Sequence, residues 1–141
     1  MEEFSEQDND RISRVSKVRR GIYVMQQTTD DQPLFRFGAI GVKGKNNNAL
    51  RRLTQIDEGR TNWHYVKVIR FDNNYSCERI KDHENKLRNE FKKIEKFQWI
   101  GKKDRFKAVD VGDSAAAKKL VSEVFDRFVA TNLSQLNNSP K

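Results

Sequence analysis

The apolar positions of this chain fall into short segments with different periods. GIYVM (21–25) is a run of strand-favouring residues, and LFRFGAIGV (34–42) is a second, interrupted by glycines. The QQTTDDQP between them has the Asp, Thr and Pro content of a turn, which predicts a β-hairpin with a loop of about eight residues. GKNNN then offers flexible backbone and an Asn cap for a helix over about 48–57, where Ala49, Leu50, Leu53 and Ile56 recur at helical spacing. WHYVKVIRF (63–71) alternates as a strand should. A longer helix is predicted from about Cys77 to Phe97, with Ser76 as its cap. DRFKAVDV (104–111) reads as another strand, and Asp113 or Ser114 caps a last helix bearing Ala117, Leu120, Val121, Val124, Phe125 and Phe128.

The resulting order, β-β-α-β-α-β-α, predicts an α+β fold: a small, mostly antiparallel sheet of three to four strands flanked by helices. Residues 1–18 lack sustained periodicity and read as a flexible arm, 19–130 as a single domain, and 131–141 as a flexible tail.

Length and composition agree with one folded domain. The 141 residues suffice for one modest core, and nine Phe, three Tyr and two Trp supply its bulk although 34% of residues are charged. No apolar run approaches the roughly 18 residues of a membrane span, and MEEFSEQDND lacks the pattern of a signal peptide. A soluble, intracellular protein, cytoplasmic or nuclear, is expected. With one cysteine, Cys77, neither an internal disulfide nor a cysteine-based zinc site can form.

Charge changes the picture more. Residues 1–10 carry five acids and residues 11–20 five bases, so the whole net charge of +8 belongs to the chain beyond them. That excess suits a polyanionic partner, nucleic acid first among them, and is also compatible with a solubilising lysine surface. The stretch GVKGKNNNALRR holds Lys43, Lys45, Arg51 and Arg52 and no acid. Lys92, Lys93, Lys96, Lys102, Lys103 and Arg105 follow later, and both groups are candidates for tracking a phosphate backbone without reading sequence. Trp63, Tyr65 and Trp99 read as packing residues ahead of base-stacking platforms.

One position breaks the pattern of the longer helix. Its inward stripe runs Ile80, Glu84, Leu87, Phe91, Ile94, with a carboxylate where the period asks for an apolar side chain. A buried, uncompensated carboxylate costs several kcal/mol, so Glu84 should be paired, protonated, metal-bound or at the rim of a cleft; an ion pair with Arg88 one turn on is one such outcome.

GIY on a first strand, an aromatic-Gly motif ending the second, an arginine on the next helix and a glutamate inside a later one together resemble the GIY-YIG nuclease superfamily, in particular its compact branch in large DNA viruses and phages. The resemblance runs from Gly21 to Phe128. Gly21, Ile22 and Tyr23 match the first half-motif. FRFG (35–38) stands for the second, with Arg36 in the usual tyrosine slot; a second register, AIG at 39–41, puts Ala39 there instead. Arg52, which borders the apolar face of its helix, matches the helix arginine better than Arg51, which points away. Glu84 matches the metal-binding glutamate.

The resemblance implies a metal-dependent DNA endonuclease with Tyr23, Arg36 and Arg52 as catalytic residues and Glu84 holding one Mg²⁺ or Mn²⁺. Its implied partner is DNA, branched or single-stranded forms included, with no membrane and no small-molecule substrate. Two alternatives stand beside it: a nuclease-derived DNA-binding module that has lost catalysis through the altered second motif, and an α+β protein-interaction domain whose basic surface is incidental.

Overall fold

In a computed structural model of the chain, the residues described are 2–5, 18–27, 34–41, 63–100 and 105–133. They form six strands and two helices: β1 (Glu2–Ser5), β2 (Gly21–Gln27), β3 (Leu34–Ile40), β4 (Trp63–Arg70), α1 (Cys77–Lys92), β5 (Phe97–Ile100), β6 (Arg105–Ala108) and α2 (Ser114–Asn132). The strands make one sheet in the order β1-β4-β2-β3-β6-β5, and every neighbouring pair is antiparallel. The fold is α+β, as the sequence predicts.

β2 lies in the interior of the sheet, hydrogen-bonded to β3 on one side and β4 on the other. Ile22, Tyr23, Val24 and Met25 are all fully buried, so GIYVM is a strand covered on both faces. Alternation sends its side chains to two cores. Ile22 and Val24 join the larger one, with Phe35, Phe37, Phe91, Phe106 and the inward faces of both helices; Tyr23 and Met25 join a smaller one on the opposite face, with Val18, Ile40, Tyr65 and Val68. α1 lies over β2 and β3 and α2 over β4, both on the larger-core side.

The helices form where capping and periodicity agree. Ser76 Oγ accepts from Arg79 N at 3.4 Å ahead of α1, and Asp113 Oδ1 accepts from Ala116 N at 2.9 Å ahead of α2. Ile80, Leu87 and Phe91 are the buried stripe of α1; Ala117, Val121, Val124, Phe125, Phe128 and Val129 are that of α2. The first turn of α1 is fastened to the sheet end: Arg20 Nη1 donates to the Gly41 carbonyl at 2.6 Å and meets Cys77 Sγ, which itself donates to Gly41 O at 3.1 Å.

Several boundaries differ from the expectation. The sheet has six strands rather than three to four. The longer helix stops at Lys92, not near Phe97, because Phe97 and Trp99 pack as strand residues against Phe106 on the neighbouring β6. Residues 2–5, within the expected arm, pair with β4 as an edge strand. α2 continues to Asn132 with Leu133 buried behind it, so the folded part passes residue 130. The helix expected over 48–57 lies outside the described residues. Among the described residues no helix is long and apolar enough to cross a membrane.

Candidate functional site

Tyr23 sits at the middle of the smaller face. Its cross-strand partners are Gly38 on β3 and Val68 on β4, and its ring meets Tyr65 edge to face, centroids 5.5 Å apart at 81°. A β-bulge makes that meeting possible. The register of β2 with β4 shifts between Val24 and Met25, so Val66 and Lys67 both turn toward the helices. Lys67 Nζ then pairs with Asp126 of α2 at 3.0 Å, while Tyr65 and Val68 stay on Tyr23's side.

Gly38 is the other condition. A Cβ at position 38 would stand 2.5 Å from Tyr23 Oη and 2.8 Å from Cζ, so the phenol occupies the space that any side chain there would need. Gly21, the first residue of GIY, answers a different need: a Cβ on it would collide with the Ile69 carbonyl of β4.

Arg36 precedes Gly38 by two residues and therefore shares its face. It is paired with Met25, which makes it the diagonal neighbour of Tyr23 across β2 and β3. Ala39, the alternative occupant of the tyrosine slot, packs instead against the helical core. On its other side Arg36 is directly opposite Arg105 of β6. Phe106 and Ala108 belong to the larger core, so Arg105 and Lys107 face the same way as Arg36. Strands β2 to β6 contain no Asp or Glu. The Tyr23 face thus continues into a basic strip of Arg36, Arg105 and Lys107.

Glu84 is elsewhere. It is half-buried on α1 between the buried Ile80 and Leu87, on the helix layer across the sheet from the Tyr23 ring. Arg88 does not serve it as partner: Arg88 Nη1 donates to Asn85 Oδ1 at 3.0 Å, and its guanidinium lies over the Phe37 ring at 5.1 Å. Tyr23, Arg36 and Arg105 are therefore brought together, and Glu84 is not brought to them by the described elements. Lys92 and Lys93 are exposed at the end of α1, where Lys93 pairs with Glu90 at 3.0 Å and Lys92 lies over the Trp99 ring at 5.6 Å. Arg52, Lys43, Lys45, Arg51, Lys102 and Lys103 lie outside the described residues.

No family model, curated protein or solved structure matches the chain.

Beside Glu84 stands a second polar group of note. His83 Nε2 and Tyr75 Oη are hydrogen-bonded at 2.8 Å; Phe71 stacks on the Tyr75 ring at 4.5 Å, and the Arg79 guanidinium lies over the same ring at 4.6 Å from its centroid. Burial lowers the His83 pKa from its ordinary value, and the Arg79 and Lys86 charges lower it further against an opposing Asp82. Burial likewise raises that of Tyr75, with Arg79 acting the other way. Among the described residues no three His, Cys, Asp or Glu gather around one point. Lys107, Arg88 and the Tyr75–His83 pair were not legible as functional candidates. Lys107 alternates visibly with Phe106, but only the sheet register tells which face it joins.

Proposed function

We propose that this chain is a DNA endonuclease of the GIY-YIG type, hydrolysing phosphodiester bonds with Tyr23, Arg36, Arg52 and Glu84. The observation that carries the reading is the fit of the Tyr23 phenol over Gly38 with Arg36 as its diagonal neighbour on the same face. The glycine opposite leaves room for the phenol, and the arginine beside it gives the same face a cation.

In this reading Arg36 and Arg105 hold a phosphate between them, which their planar forks suit, and the phenol oxygen of Tyr23 positions the attacking water. A free phenol, with a pKa of about 10, is a weak base at neutral pH, so in this reading Tyr23 places the water and need not take its proton. The half-buried Glu84 offers the hard oxygen donor that Mg²⁺ or Mn²⁺ takes, one ligand among waters and substrate oxygens. Such an ion, when bound, supplies positive charge for the leaving 3′ oxygen.

A specific observation favours a second reading, the nuclease-derived DNA-binding module. Tyr23 is 0% exposed and Glu84 rides the layer across the sheet, so a site that uses both requires the Tyr23 face to open and the two layers to rearrange, whereas binding along the basic strip requires neither. Plasmid, single-stranded and branched DNA incubated with the protein in Mg²⁺ or Mn²⁺ separates the two. Cleavage lost in Glu84→Ala, with DNA affinity retained, supports the nuclease. Binding with no cleavage in either metal supports the module and removes the nuclease.

A further inference from the structure

The larger face holds a second cluster that the Tyr23 site does not use. Arg88 and Lys92 stand one turn apart on α1, in an i, i+4, i+8 row that begins at Glu84 and rises about 6 Å per step. Each lies over an aromatic ring: the Arg88 guanidinium 5.1 Å from the centroid of Phe37, the Lys92 ammonium 5.6 Å from that of Trp99. The two rings meet edge to face at 5.5 Å, so both cations and both rings form one assembly.

Its hydrogen bonding is incomplete. Arg88 Nε and Trp99 Nε1 are both buried, and neither has an acceptor. A buried N–H left unmade costs free energy, so native structures pair nearly all of them. Neither cation has a carboxylate partner among the described residues: Arg88 bonds the neutral Asn85, and the nearby Glu90 is paired with Lys93. Two donors without acceptors and, among the described residues, two cations without counter-charges, gathered on aromatic faces, suit an anion. Lys92 is at the surface and Arg88 half-buried, both on flexible stems, so both can swing from their rings toward an entering anion.

We propose that Arg88, Lys92 and Trp99 form a phosphate subsite for a nucleic-acid backbone, one helical turn from Glu84 and on the opposite face of the sheet from Arg36 and Arg105. The proposal shares with the nuclease reading only its nucleic-acid partner. A backbone bound there runs alongside α1, with its charge met by Arg88 and Lys92 and one phosphate oxygen accepting from Trp99 Nε1.

The test is a fluorescence titration of the full chain with single-stranded and duplex oligodeoxynucleotides in EDTA, so that cleavage plays no part. Trp99 emission should change on saturation, and the change should vanish in Trp99→Phe, where Trp63 remains the only tryptophan. Arg88→Gln should weaken affinity about tenfold, the worth of a charge-assisted hydrogen bond, and Trp99→Phe about threefold, with far-UV circular dichroism and melting temperature as controls for folding. Arg88→Lys should fall between, since it keeps the charge and loses the planar donors. Folded Arg88→Gln and Trp99→Phe proteins that both bind as the parent does overturn the subsite. So does inorganic phosphate that saturates the Trp99 response without competing with the oligonucleotide. A protein that cuts no DNA yet loses affinity on Arg88→Gln keeps the subsite and loses the nuclease; one that cuts DNA with affinity unchanged does the reverse.

Discussion

Tyr23 and Gly38 are directly opposed across β2 and β3, and the phenol of the first fills the volume a side chain on the second would take. Gly38 is an ordinary strand residue, so space and not backbone conformation requires glycine there. Gly38→Ala should therefore destabilise the fold by about 1–3 kcal/mol through overpacking. In a Tyr23→Ala background the same change should cost much less. Urea unfolding of the single and double variants gives the coupling, and additive losses would show that the two residues do not compete for space.

Phe106 is the ring on which the larger core converges. It is fully buried and meets Phe35 at 5.5 Å, Phe91 at 5.1 Å, Phe97 at 4.8 Å and Trp99 at 5.1 Å. Phe106→Ala should cost about 3–5 kcal/mol, the range for a buried aromatic truncated to a methyl group, and Phe106→Leu clearly less. Denaturant midpoints check both values, and a loss under 1 kcal/mol would contradict this packing.

His83 should titrate below the ordinary histidine value of about 6.5, chiefly because it is partly buried. The unfolded chain then takes up its proton first as pH falls. The stability His83 contributes is present above about pH 6.5 and is lost as pH drops through the folded value. NMR titration of the imidazole, assigned with His83→Asn, reads the pKa. Arg79→Gln should raise it without restoring the ordinary value, since burial is the larger cause.

Binding to duplex DNA should weaken steeply with salt, log K falling by about 0.9 per decade of salt for each phosphate neutralised. Arg105→Gln and Lys107→Gln should each reduce that slope by about one and weaken binding to all sequences alike. Affinity unchanged between low and moderate salt would remove the polyanion partner from consideration.

The resemblance to a nuclease pattern rests on residues whose order in the chain is plain but whose meeting is not. GIYVM was legible as a strand because Ile, Tyr and Val fit a pleated, buried surface wherever it lies. The end of α1 was not, because Phe91, Ile94 and Phe97 fall at three-residue steps that a helix accepts as readily as a turn followed by a strand. EEFS at 2–5 carries one apolar residue and no strand signal; it joins the sheet because β4 presents an edge to pair with.

Local periodicity and capping determined, from sequence alone, the α+β class, the strand character of GIYVM, the cap at Ser76 and a second at Asp113 or Ser114, and the intrusion of Glu84 into an apolar stripe. These are properties of residues within a turn or two of one another, and the chain states them directly. Tertiary structure decided which residues meet. Strand register set Tyr23 over Gly38 and Arg36 opposite Arg105, and the β4 bulge turned Tyr65 toward Tyr23 and Lys67 toward α2. A slip of one residue would have sent each of these side chains to the other face, and no local rule fixes that choice. The same long-range packing put Glu84 in the helix layer, across the sheet from the Tyr23 phenol.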